Sequence, residues 1–98
     1  MTRLLFAGRL ADDFGRIEAH LLAHELGDVE GRLAEIVQAL QVLTLHPLIG
    51  RKVAFGRREL VIGRGARGYV ALYAYDAYDD VVAVAALRAQ KEEGFGEG

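Results

Sequence analysis

The chain predicts an α+β fold of order β-α-α-β-β-β, a helical hairpin packed on a curved, mostly antiparallel sheet. Three observations predict it. Apolar residues recur at steps of three and four from Phe14 to Leu43, the period changes to two after Pro47, and glycine or aspartate marks most of the boundaries.

The first element is the apolar run Arg3-Leu-Leu-Phe-Ala7, closed by Gly8 and read as a strand. Asp12 and Asp13 then offer an N-cap to a helix whose stripe is Phe14, Ile17, Leu21 and His24, widened by Leu22 and Leu26. Gly27 ends that helix and Asp28 caps the next, with its stripe of Val29, Leu33, Ile36, Val37, Leu40 and Leu43. So short a link forces an antiparallel helical hairpin, and Pro47 stops its second arm. Beyond Pro47, Arg58, Leu60 and Ile62 alternate with Glu59, Val61 and Gly63. Val70, Leu72 and Ala74 alternate with Tyr69, Ala71, Tyr73 and Tyr75. Val82, Val84 and Ala86 alternate with Val81, Ala83, Ala85 and Leu87, after the turn-type segment Asp76-Ala-Tyr-Asp79.

Residues 1–98 fit one domain, with 92–98, acidic and glycine-rich, expected to be a flexible tail. A hydrophobic fraction of 52% supports a core and excludes an intrinsically disordered chain. Cysteine is absent, which excludes disulfides, thiol nucleophiles and zinc–thiolate sites and suits a reducing compartment. No apolar run approaches the roughly 18–20 residues of a membrane span, and no signal-type segment opens the chain. A cytoplasmic protein with no membrane partner is expected. The net charge of −2 argues against indiscriminate nucleic-acid binding, yet the charge is segregated. Residues 51–70 hold Arg51, Lys52, Arg57, Arg58, Arg64 and Arg67 against Glu59 alone, a local positive field on an acidic protein.

Several motifs invite a chemical reading. Gly63-Arg-Gly-Ala-Arg-Gly68 matches the dinucleotide pattern G-x-G-x-x-G, but a strand rather than a helix follows it, so a hairpin loop explains its glycines. His20 and His24 stand one helical turn apart, without a third ligand or an H-E-x-x-H motif, and no metal site is expected. Tyr69, Tyr73, Tyr75 and Tyr78 suit base stacking, but also the ordinary role of tyrosine in strands. Cleaving RNA requires a base, an acid and cations for the developing phosphorane charge. Arg88 leads out of the last strand as a candidate cation, whereas all three histidines lie between residues 20 and 46 and serine is absent. No cofactor is implied.

Residues 47–95 carry a more specific pattern. Leu43-Thr-Leu-His-Pro-Leu-Ile-Gly-Arg51 reads L-x-x-x-P-x-x-G-R, three strands follow, and the chain closes on Leu87-Arg-Ala-Gln-Lys-Glu-Glu-Gly-Phe95. This arrangement resembles the RelE/ParE family of bacterial type II toxin–antitoxin toxins, also known as plasmid stabilisation proteins. The resemblance covers nearly the whole chain in element order. The family's ending often reads V-R-H-Q-R-E-x-G-Y, and here Ala89 occupies the histidine position and Phe95 the tyrosine position.

The resemblance therefore points to the ParE branch. It implies a growth-inhibiting toxin that binds DNA gyrase without catalysis of its own and is silenced by a cognate antitoxin in a hetero-oligomer. The alternative is a RelE-like endoribonuclease acting on messenger RNA at the ribosome. An inactive member kept as a partner-binding module is a third reading. If catalysis occurs, Arg88, Lys52 and Arg58 are the candidates for it. Arg51, Lys52, Arg57, Arg58, Arg64, Arg67, Arg88 and Lys91 are the candidates for contacting a target or phosphate. The antitoxin, expected along the hairpin and sheet, would meet Phe14, Ile17, Leu21, Leu33, Val37 and Leu40.

Overall fold

Helices before Pro47 and strands after it form the two layers of the molecule, with the first strand joining the sheet from the other side. The computed structural model describes residues 1–24, 27–63 and 68–90. Among them β1 is Arg3–Phe6, α1 Arg9–Ala23, α2 Val29–Gln41, β2 Arg51–Lys52, β3 Arg58–Ile62, β4 Tyr69–Asp76 and β5 Val81–Ala89. The strands form one sheet in the order β1-β5-β4-β3-β2. β1 runs parallel to β5, with Arg3 opposite Val81 and Phe6 opposite Val84, while the other pairings are antiparallel. The fold is the expected α+β class with one addition. β2 is only two residues long and leaves no readable period in the sequence.

α1 begins earlier than expected, immediately after Gly8, so Asp12 and Asp13 lie within the helix instead of capping it. Asp12 still sits in the first turn, where the helix dipole favours an anion. The helix also ends earlier, at Ala23, and Gly27 lies beyond it with φ at +76°. Asp28 does cap α2, its Oδ1 accepting the Gly31 N–H at 3.0 Å. A 3-10 turn over Val42–Thr44 tightens the end of α2 before Pro47.

The core joins Leu10, Ile17 and Leu21 of α1 with Ile36 and Leu40 of α2 and with Leu43. Across from them lie Ile62, Tyr69, Ala71, Tyr73, Val82, Val84 and Leu87 of the sheet. Full burial of each large apolar side chain contributes about 1.5–3 kcal/mol. One break in the two-residue period decides which β5 side chains face the helices. Leu72 pairs with Ala86 but Tyr73 pairs with Val84, so Ala85 is an extra, bulged residue. The bulge reverses the phase of the strand. Leu87, rather than Ala86, therefore joins Val82 and Val84 in the core.

The bulge also leaves backbone groups to satisfy. β1 reaches only as far as Val84, whose carbonyl accepts the Ala7 N–H. Farther along, α1 takes over. Asp13 Oδ2 accepts the Leu87 N–H at 2.9 Å, and Arg16 Nη2 donates to the Leu87 carbonyl at 3.0 Å. Asp13 Oδ1 accepts from Arg16 Nη1 at 2.9 Å and from Arg9 Nη2 at 3.3 Å. Burial alone raises the Asp13 pKa, but the Leu87 N–H and the Arg16 and Arg9 guanidinium groups outweigh it. The carboxyl stays below its ordinary value of 3.8.

At the opposite end of β5, Asp80 adopts the left-handed conformation with φ at 56°. Its Oδ1 accepts from Thr2 Oγ1 at 2.6 Å and from the Tyr75 hydroxyl at 2.8 Å, tying the N-terminus to the β4–β5 turn. The Thr2 and Tyr75 hydroxyls hold the Asp80 carboxyl below its ordinary range, and Asp80 in turn raises the Tyr75 phenol. We expect Asp80→Ala to bring the Tyr75 titration, followed by ultraviolet absorbance, back down toward 10.0. Amide exchange in β1 is expected to quicken in the same variant. A Tyr75 titration unchanged by the substitution would contradict this coupling.

Candidate target-binding surface

Residues 47–62 carry four of the eight expected target-contact residues, and the geometry of this segment is set by a glycine and a tyrosine. Gly50 lies so close to β4 that its N–H donates to the hydroxyl of the wholly buried Tyr73 at 2.8 Å. Arg58 Nη1 donates to the carbonyls of Gly50 at 2.8 Å and Leu48 at 3.0 Å. The turn of the L-x-x-x-P-x-x-G-R motif is therefore clamped from inside by Tyr73 and from the sheet by Arg58. Arg51, the last residue of the motif, pairs with Glu59 of the neighbouring strand at 2.6 Å.

These bonds sort the basic candidates. Arg58 is half-buried and its guanidinium is engaged by carbonyls, and Arg51 is engaged by Glu59. Lys52 is exposed. Arg57 is half-buried; its guanidinium lies 5.6 Å from the Phe55 ring centroid, and its buried Nε has no hydrogen-bond acceptor. Arg88 lies on β5 opposite Val70, its Nη1 3.2 Å from the carbonyls of Ala89 and Gln90. Arg64, Arg67 and Lys91 lie outside the described residues.

Strand register separates the three catalytic candidates. Arg58 pairs with Tyr73, whose ring is in the core, so Arg58 and its partner Lys52 belong to the helix-facing side of the sheet. Arg88 pairs with Val70, whose neighbours Ala71 and Tyr69 are the core-facing ones, so Arg88 belongs to the other side. Along β4 the two positions are three residues apart, roughly 10 Å. Arg88, Lys52 and Arg58 do not converge on one phosphate.

The helical candidates divide as well. Ile17, Leu21 and Leu40 are buried in the protein's own core, which removes them from any surface a partner reaches. Phe14 and Leu33 are half-buried against that core, and Val37 remains exposed. Tyr69 and Tyr73 are core side chains, so they form no base-stacking platform. The histidine pair stacks, with ring centroids 4.3 Å apart and His24 Nδ1 2.9 Å from the His20 carbonyl oxygen. No group of three metal-ligating side chains occurs among the described residues. Residues 64–67 of the glycine-rich motif lie outside the described residues; Ile62 pairs antiparallel with Tyr69, and the strand that follows the motif excludes the dinucleotide reading.

One feature of this surface was not foreseen in the sequence. Phe55, at the tip between β2 and β3, is 88% exposed and holds φ 64° and ψ 34°. A lone aromatic beside Gly56, within a run of basic residues, is the signal that marks it. Leu45, Leu48 and Ile49 of the preceding turn are also exposed. Among the described residues no helix is long and apolar enough to cross a membrane.

No protein-family model matches the sequence, and no curated protein matches it. A solved structure described as "Chromosomal ParDE TA system from P. aeruginosa" does match the fold. The likeness covers 91% of this chain and 96% of that one, with a TM-score of 0.71 at 17% sequence identity. Two helices on a five-stranded mixed sheet, with the motif turn clamped between Tyr73 and Arg58, give this protein the α+β fold of that toxin–antitoxin chain.

Proposed function

We propose that the protein is the toxin of a type II toxin–antitoxin pair, of the ParE kind. On this reading it arrests growth by binding DNA gyrase and is neutralised in the cytoplasm by a cognate antitoxin. The observation that carries the reading is a fold likeness that spans nearly the whole of both chains. Binding without catalysis is supported by the chemistry available, because Ala89 stands at the position where the resemblance leads one to expect histidine. The separation of Arg88 from Lys52 and Arg58 across the sheet argues against a nuclease cradle. The antitoxin would bury the accessible apolar side chains of the helical hairpin, Val37 and Leu22, together with the rims of Phe14 and Leu33.

A supercoiling assay tests the target. The purified protein is expected to inhibit DNA gyrase and to lose that effect when its antitoxin is added in equimolar amount. Supercoiling that proceeds unaffected at high protein concentration would remove gyrase from the proposal. Codon-positioned transcript cuts after induction would replace it with the messenger-RNA endoribonuclease.

A further inference from the structure

The tip between β2 and β3 holds one aromatic ring in water at a conformational cost. Positive φ is an outlier for a bulky residue, and such strain persists only where the surroundings impose it. Here Val53 N–H donates to the Arg57 carbonyl at 2.9 Å, and Gly56 follows Phe55 with φ at +71°. The frame is complete without any partner. Arg57 lies against the ring and Lys52 stands just before the tip; among the described residues the buried Arg57 Nε has no acceptor and the Lys52 side chain has no hydrogen bond or ion pair. The other cations of this end, Arg51 and Arg58, are already engaged.

We infer that Phe55, flanked by Lys52 and Arg57, is the anchor with which the protein grips its protein target, and that the target presents an apolar pocket rimmed by carboxylates. The inference rests on the toxin reading above and adds the contact point and the chemistry of the surface it meets. An aromatic ring with an adjoining arginine is the composition that dominates binding energy at protein interfaces. A preorganised projection suits insertion into a folded partner, because little ordering entropy remains to be lost. The free guanidinium and ammonium groups call for acceptors of opposite charge around the pocket. A nucleic acid is disfavoured by the net charge of −2 and by the engagement of Arg51 and Arg58.

Phe55→Gly tests the anchor without disturbing the fold, since glycine adopts positive φ freely and the residue it replaces is exposed. Wild type and variant are expressed at matched levels without antitoxin. The inducer concentration needed to stop growth is expected to rise about tenfold or more, as for loss of an interface hot spot. A co-expressed cognate antitoxin is expected to co-purify equally with both. Arg57→Glu is expected to reduce toxicity in the same direction. Equal toxicity of wild type and Phe55→Gly overturns the inference and leaves the toxin reading intact. Loss of antitoxin co-purification assigns the tip to the antitoxin instead, and Phe55-dependent binding of a single-stranded RNA oligonucleotide replaces the protein partner; either overturns the inference. A wild type harmless without antitoxin overturns the toxin reading and the inference together.

Discussion

Asp13→Ala is expected to destabilise the protein by about 3 kcal/mol at neutral pH, a large share of the roughly 5–15 kcal/mol available to a domain of this size. The residue is 1% exposed, and its carboxylate accepts from the Leu87 N–H, Arg16 and Arg9. Truncation leaves the Leu87 N–H buried without an acceptor, which by itself costs about 1–3 kcal/mol. It also removes the carboxylate from beside the Arg16 guanidinium, which is tied to the same residue's carbonyl, so the link between α1 and the bulge loosens. Asp13→Asn keeps one acceptor but sets an amide against two guanidinium donors, and an intermediate loss is expected. Urea denaturation measures both. The pH dependence has a definite sign. The folded pKa lies below 3.8, so the native state binds this proton less tightly than the unfolded chain. The Asp13 contribution is full above the unfolded value and is lost as pH falls through the lower folded value. The stability gap between wild type and Asp13→Ala is therefore expected to narrow as the pH falls below 3.8. A gap that is constant with pH would mean that the carboxylate charge contributes nothing.

Asp13 also marks where the sequence stopped being legible. Its helix was readable because Phe14, Ile17 and Leu21 repeat at the helical period, and the strands were readable from their alternation. An aspartate near a helix start reads as a cap from local pattern alone, since capping is the commonest local use of that side chain. Its partner here, Leu87, lies 74 residues away; the need for it arises because β1 ends opposite Val84, and a bulge with no sequence marker decides that Leu87 faces the open edge. The same bulge exchanged Ala86 and Leu87 between the two faces. The contact candidates on the hairpin divide for a related reason. A stripe of apolar residues specifies a buried face without saying which partner buries it, and for Ile17, Leu21 and Leu40 the partner is the sheet. The basic cluster was legible as composition, but register and hydrogen bonding divided it. Arg51 and Arg58 stabilise the hairpin, while Lys52 and Arg57 keep their charge for solvent or a partner. Phe55 is not legible in the sequence because its exposure depends on one residue in the left-handed region, which no periodicity encodes.

Gly50→Ala is expected to cost about 3 kcal/mol, near the upper end for overpacking, though it adds a single methyl group. The glycine is not required for a positive φ; space is what forbids a side chain. A Cβ at Gly50 would lie 2.6 Å from the Tyr73 hydroxyl, 2.7 Å from Tyr73 Cε1 and 2.8 Å from the Glu59 carbonyl oxygen. Tyr73 is wholly buried and Glu59 contributes backbone from β3, so neither yields cheaply. Displacing the turn also strains the Gly50 N–H bond to Tyr73 and the Arg58 bonds to Gly50 and Leu48. Tyr73→Phe alone is expected to cost about 1–2 kcal/mol, because it leaves the buried Gly50 N–H without an acceptor. The two substitutions share one clash. The hydroxyl that the methyl would strike is the atom that Tyr73→Phe removes, so the double variant is expected to be less destabilised than the sum of the singles, by about 1 kcal/mol. Thermal or urea unfolding of the four proteins of this cycle measures that coupling. Strict additivity would show that the Tyr73 hydroxyl is not the barrier. The glycine of P-x-x-G-R would then be required by contact with the Tyr73 ring edge and the Glu59 carbonyl of β3.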